Sequence, residues 1–126
     1  MDLKYLEISQ FEKYSIAEVI INDLDLVHTP KLQNDLYDFV KSINYDNLII
    51  DIRNLTYIDS IGLETLINLK KIINDNDNDN DLVVVCDVDS ILELFKIVEM
   101  DKYFKNFQSL ANAKEYFDGK RITKVS

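Results

Sequence analysis

At 126 residues the chain suits one domain, and a domain of that size buries roughly two thirds of the surface its unfolded form exposes, so no disulfide or metal staple is required. Its net charge of −9, from 23 acidic against 14 basic residues, argues against direct nucleic-acid binding, which draws most of its affinity from cations that displace counterions. No apolar run approaches the ~20 residues that span a bilayer, which argues against membrane insertion, and a single cysteine, Cys86, rules out an internal disulfide. The N-terminal stretch MDLKYLEIS has neither the basic region nor the apolar core of a signal peptide, so the expected location is cytoplasmic.

Leu3 to Ser9 and Tyr14 to Ile21 are rich in aromatic and β-branched residues and read as two strands of a hairpin. Asn22, Asp23, Leu24 and Asp25 break that pattern, and His28, the only histidine, reads as a partly exposed loop residue. Thr29 followed by Pro30 is a helix start: a hydroxyl at the cap, then a proline whose missing N–H has no intrahelical partner to lose. Leu32, Leu36, Phe39, Val40 and Ile43 recur on one face, predicting a first helix over about Pro30 to Ser42.

The organising stretch runs from Asn47 to Ile73. Leu48, Ile49, Ile50 and Ile52 form the apolar run of a strand covered on both faces, and from Ile61 onward Leu63, Leu66, Ile67 and Ile73 change to helical spacing. A serine hydroxyl, Ser60, therefore sits at a strand-to-helix junction, where unpaired N–H groups favour an anion. Asn74 to Asp81 is a run of Asn and Asp that reads as a mobile, solvated loop. Leu82 to Cys86 is a second buried strand, with Cys86 as a small core residue. Asp89 or Ser90 caps a third helix bearing Ile91, Leu94, Phe95 and Val98; Phe104 to Phe107 is a short strand; Leu110, Ala113 and Phe117 mark a last helix ending near Gly119. The alternation predicts a single α/β domain over residues 1–119, with residues 120–126 as a C-terminal tail free to be disordered.

Few catalytic constellations survive inspection. Asp75, Asp77 and Asp79 match the first ligand positions of a calcium loop, but Asn80 and Cys86 stand where its glycine and glutamate belong, so no specific metal site is expected. With only Gly62 and Gly119 in the chain there is no phosphate-cradling loop. Asp51, near the end of a buried strand, invites comparison with a phosphoacceptor aspartate, yet the first strand lacks the acid pair that would hold magnesium, and a structural role is the better reading. On residue types alone, Asp59 and Ser60 cap a helix and nothing more.

The stretch Leu55, Thr56, Tyr57, Ile58, Asp59, Ser60, Ile61, Gly62, Leu63 resembles the signature of the STAS domain, shared by sulphate transporters and anti-sigma-factor antagonists: a hydrophobic residue, then Asp-Ser-Ser/Thr-Gly-Leu-Gly. Asn22 to Asp25 fall where that family has a Gly-Glu-Leu-Asp turn, and Leu82 to Val88 followed by a helix near Ser90 also fits. Ile61 stands in place of the second hydroxyl residue and Glu64 in place of the second glycine. The resemblance implies a mixed β-sheet with about four helices packed mainly on one face. It further implies a non-enzymatic antagonist with no cofactor of its own, which sequesters an anti-sigma serine kinase while Ser60 is unphosphorylated. The kinase would supply ATP and magnesium, and Asp23, Asp25, Asp59, Ser60, Ile61, Gly62, Leu63 and Glu64 would form the partner surface. The alternative is a STAS scaffold or ligand-binding module, not phosphorylated, in a signalling or transporter complex.

Overall fold

The computed structural model describes residues 5–24 and 29–125, by backbone alone at 23, 24, 29 and 120–125. Its centre is a five-stranded sheet in the order β1-β2-β4-β6-β7, built from β1 (Leu6–Gln10), β2 (Ser15–Val19), β4 (Leu48–Asp51), β6 (Leu82–Val85) and β7 (Lys105–Phe107). β1 and β2 form the expected antiparallel hairpin, with Leu6 opposite Val19, and every later pairing is parallel. Every residue of β4 and β6 is buried. Leu48, Ile50, Leu82 and Val84 face one core and Ile49, Val83 and Val85 the other, which is why neither strand alternates with polar residues.

Three helices cover the first face: α1 (Thr29–Ser42), α2 (Ser60–Asn76) and α3 (Asp89–Ile97), contributing Leu36, Phe39, Leu66, Leu69, Ile91 and Phe95 to the core. Among the described residues the second face is covered by α4 (Leu110–Val125), through Ala113 and Phe117, whose ring stacks on Tyr14 with centroids 5.7 Å apart. The mixed sheet with helices mainly on one face is thus as expected. Cys86 lies in the core beside β6, and burial pushes its thiol pKa up, as suits an inert packing residue.

The differences from expectation are local. Asp23 and Leu24, read as part of a break, form a two-residue strand, β3, parallel to β5 (Tyr57–Ile58). Helix α3 is entered from Val88, which makes no side-chain cap; Asp89 is its first residue, where a carboxylate complements the helix dipole without capping. Helix α4 continues through Gly119 to Val125, and a Cβ at Gly119 would meet nothing within 4 Å, so this glycine does not serve as a stop.

The Asn/Asp run is also less loop-like than its composition suggests. Asn74, Asp75 and Asn76 complete α2, the Asn74 amide donates to Asn80 O at 2.6 Å, and the Asn80 amide donates to Tyr45 O at 3.2 Å. Asp81 is only 7% exposed. Its Oδ1 accepts from Lys70 Nζ and from the Leu82 N–H (2.8 Å), and its Oδ2 accepts the Tyr116 hydroxyl at 2.7 Å. One end of the run is therefore a clamp joining α2, β6 and α4.

Burial first, and then the bond to Asp81, raise the Tyr116 pKa well above the ordinary phenol value. A folded-state pKa above the unfolded one gives stability that is fully present below about pH 10 and is lost as pH rises further. Tyr116→Phe should therefore flatten the alkaline limb of stability against pH, measured by urea unfolding; an unchanged slope above the phenol pKa would count against the clamp.

Candidate functional site

The junction from β4 to α2 is held from below. Asp51 ends β4 nearly buried, and Arg53 saturates it: backbone N–H to Oδ1 at 3.1 Å, Nε to Oδ1 at 3.0 Å and Nη2 to Oδ2 at 2.8 Å. The Asp51 bond raises the Arg53 pKa, so the guanidinium stays charged. This carboxylate is a structural acceptor, as the sequence reading has it. The Asn54 amide donates to Val19 O at 3.2 Å and the Thr56 N–H to Asn22 O at 2.7 Å, tying the connection to β2 and to the segment entering β3. In β5, Ile58 points into the core while Tyr57 points out, 53% exposed.

Asp59 is extended (φ −93°, ψ −179°) and half-buried, and it alone caps α2. Its Oδ1 accepts the Gly62 N–H at 2.8 Å and its carbonyl accepts the Leu63 N–H at 3.0 Å. Ser60 follows as the first helical residue, exposed, with its hydroxyl unused in capping. The Ser60 and Ile61 N–H groups, at the head of the helix, precede the first intrahelical bond and face the positive end of its dipole. Glu64 is exposed one turn on, on the same side as Ser60.

Of the eight residues expected at a partner surface, Ser60, Ile61 (39% exposed) and Glu64 are open to a visitor, and Asp59 borders them. Gly62 and Leu63 are buried, on the side of α2 that also carries Leu66, Leu69 and Ile73. Asp23 is brought near by its backbone, since β3 places it in register with Tyr57. Asp25, like His28, lies outside the described residues. The sequence reading missed Tyr57, whose signal was the strand alternation that pairs an inward Ile58 with an outward neighbour.

Beneath the site a void of about 10 Å³ between α1, α2 and the sheet has room for one water at most. Among the described residues no three His, Cys, Asp or Glu side chains converge to hold a metal, and no helix is long and apolar enough to cross a membrane. The chemistry on offer is an exposed hydroxyl at a helix head. Asp59→Ala should cost about 1 kcal/mol in urea unfolding through loss of the cap, with Asp59→Ser recovering most of it; equal stability of Asp59→Ala and the parent would show that the cap is redundant.

Residues 13–113 match the STAS domain, and the chain belongs to that family. Its fold is similar to that of an anti-sigma factor antagonist from Mycobacterium paratuberculosis, at 18% identity and TM-score 0.78, covering 90% of this chain and 92% of that one. It is equally similar to the Thermotoga maritima protein TM1081, at 15% identity and TM-score 0.78, with coverage of 91% and 96%. The anti-sigma factor antagonist SpoIIAA in its unphosphorylated form matches at 9% identity and TM-score 0.72, with coverage of 90% and 96%.

Proposed function

We propose that this chain is a cytoplasmic anti-sigma-factor antagonist that docks an anti-sigma serine kinase while Ser60 is free and releases it once Ser60 is phosphorylated. The observation that carries this reading is the division of labour at the head of α2: Asp59 does the capping, so the exposed Ser60 hydroxyl is left for an incoming enzyme. Membership of the STAS family and likeness in fold to anti-sigma factor antagonists support it. The neighbouring Asp59 Oδ1 is committed to the Gly62 N–H at the helix head, and the exposed Ser60 hydroxyl beside it would take a phosphoryl group from the incoming kinase. ATP and magnesium belong to the kinase. Tyr57, Ile61 and Glu64 supply a mixed apolar and acidic rim around the hydroxyl for the partner to cover.

Incubation with candidate anti-sigma kinases and ATP, followed by mass spectrometric mapping, should place a single phosphate on Ser60 and none on Ser60→Ala. Absence of label with every cognate kinase would leave the protein as a binding scaffold without the switch.

A further inference from the structure

Of the two outer edges of the sheet, β1 is the one without the usual protection. The Ile20 N–H donates to Tyr5 O at 3.0 Å and the Phe11 N–H to Tyr14 O at 2.9 Å, so the odd-numbered residues of β1 bond to β2, and alternation turns the N–H and C=O of Leu6, Ile8 and Gln10 outward. Proteins blunt such an edge with lysine, proline or a bulge. β7 has Lys105; Leu6–Gln10 has no lysine, arginine or proline, and it pairs with β2 residue for residue, without a bulge. Ile8 is half-buried at the margin of the first core. On the opposite face Glu7 and Ser9 are exposed, and among the described residues neither side chain has a hydrogen bond or ion pair.

We infer that this edge pairs with the same edge of a second copy of the chain, antiparallel about a two-fold axis at Ile8, so that the sheet continues from one copy into the other. The strand's own sequence selects that occupant. Outward groups bond outward groups only if even-numbered residues face even-numbered ones, which near the middle of the strand puts the axis at Glu7, Ile8 or Ser9. An axis at Glu7 sets the two Glu7 carboxylates face to face, and an axis at Ser9 pairs only Ile8 to Gln10 and sets Glu7 against Phe11. An axis at Ile8 pairs the whole strand: Leu6 with Gln10, Ile8 with Ile8 and, on both sides of the axis, Glu7 with Ser9. Glu7 and Ser9 then form the closer, non-hydrogen-bonded kind of pair, in which each Ser9 hydroxyl donates to the Glu7 carboxylate of the other copy. Glu18 already lies opposite Glu7 within the hairpin, so that carboxylate accepts a hydroxyl on its free side far better than another acid. The contact uses none of the residues at the head of α2 and does not depend on phosphorylation of Ser60.

The test is sedimentation velocity of the full chain from micromolar to millimolar concentration, with amide exchange followed by NMR over the same range. The mass should rise from one chain toward two, and the N–H groups of Leu6, Ile8 and Gln10 should exchange more slowly as it does, while those of β7 stay as they were. Added salt should tighten the dimer, because each copy carries a net charge of −9. Ile8→Pro removes an outward N–H that the hairpin does not use and should weaken association about tenfold. Ser9→Lys, set beside the other copy's Glu7, should tighten it about threefold, and Ser9→Glu should weaken it about tenfold. Asn112→Lys, the same change of charge at an exposed position of α4, should leave it nearly unchanged. Association that folded Ile8→Pro leaves intact, or that Ser9→Lys and Ser9→Glu shift in the same direction, overturns the proposal. So does a chain that stays single up to millimolar concentration, including one whose edge amides are already protected, which would put its own residues on the edge.

Discussion

Phosphorylated protein should bind its partner roughly a hundredfold more weakly than the free form, and Ser60→Asp should reproduce about a tenth of that ratio. A phosphoryl group adds about −1.5 to −2 charges at the first residue of α2. Asp59 and Glu64 already make that corner acidic, and the Ser60 and Ile61 N–H groups offset only part of the addition. Two charges about 5 Å from one partner carboxylate, at an effective dielectric of ~40, are repelled by roughly 3 kcal/mol. Titration calorimetry at two ionic strengths checks this, because exposed charges are screened and the ratio should shrink in high salt. Equal affinity of the two forms at low salt would remove the electrostatic basis of release.

Asp81→Ala should be the most damaging single change on stability away from the apolar core, at about 3 kcal/mol in urea unfolding. The substitution leaves the Lys70 ammonium, the Tyr116 hydroxyl and the Leu82 N–H without the acceptor they share, in a place where water reaches poorly. Breaking one partner out of a buried pair costs about 3–5 kcal/mol; Lys70 retains some solvent contact, which sets the expectation at the lower end. Asp81→Asn keeps one acceptor oxygen and sets an amide NH2 donor in place of the other, so it should recover only part of that loss. The pair Lys13 and Asp118, 3.5 Å apart with the carboxylate exposed, is the control: Asp118→Ala should change stability by no more than about a few tenths of a kcal/mol. Asp81→Ala and Asp118→Ala behaving alike would mean that the clamp contributes nothing.

What could be read from the sequence follows physical range. The strands β4 and β6 announce themselves because burial on both faces leaves an unbroken apolar run, and α2 because Asp59 precedes a change of period from 2 to 3.6. Ser60 was legible as a helix-head hydroxyl for the same local reason. The β3 and β5 pairing was not, because two residues carry no period and the partners lie far apart in the chain. Nor was the burial of Asp81, which depends on Lys70, 11 residues before it, and Tyr116, 35 residues after it, while the run from Asp75 to Asp79 that precedes it is solvated. Gly62 and Leu63 were assigned to a partner surface by motif position, and only the packing of α2 against the sheet shows that they face inward.

Helix α2 is seated through Gly62, Leu63, Thr65, Leu66, Leu69 and Ile73, from its first turn to its last. It has no freedom to rotate or slide without emptying the interior. A covalent change at its opening residue therefore alters what a visitor touches and leaves the scaffold as it was. The two covalent states should melt within a few degrees of each other and exchange their deep amides at the same rate. In the proposed switch the signal would be carried by what a partner meets at the outer skin, with no shape change to propagate.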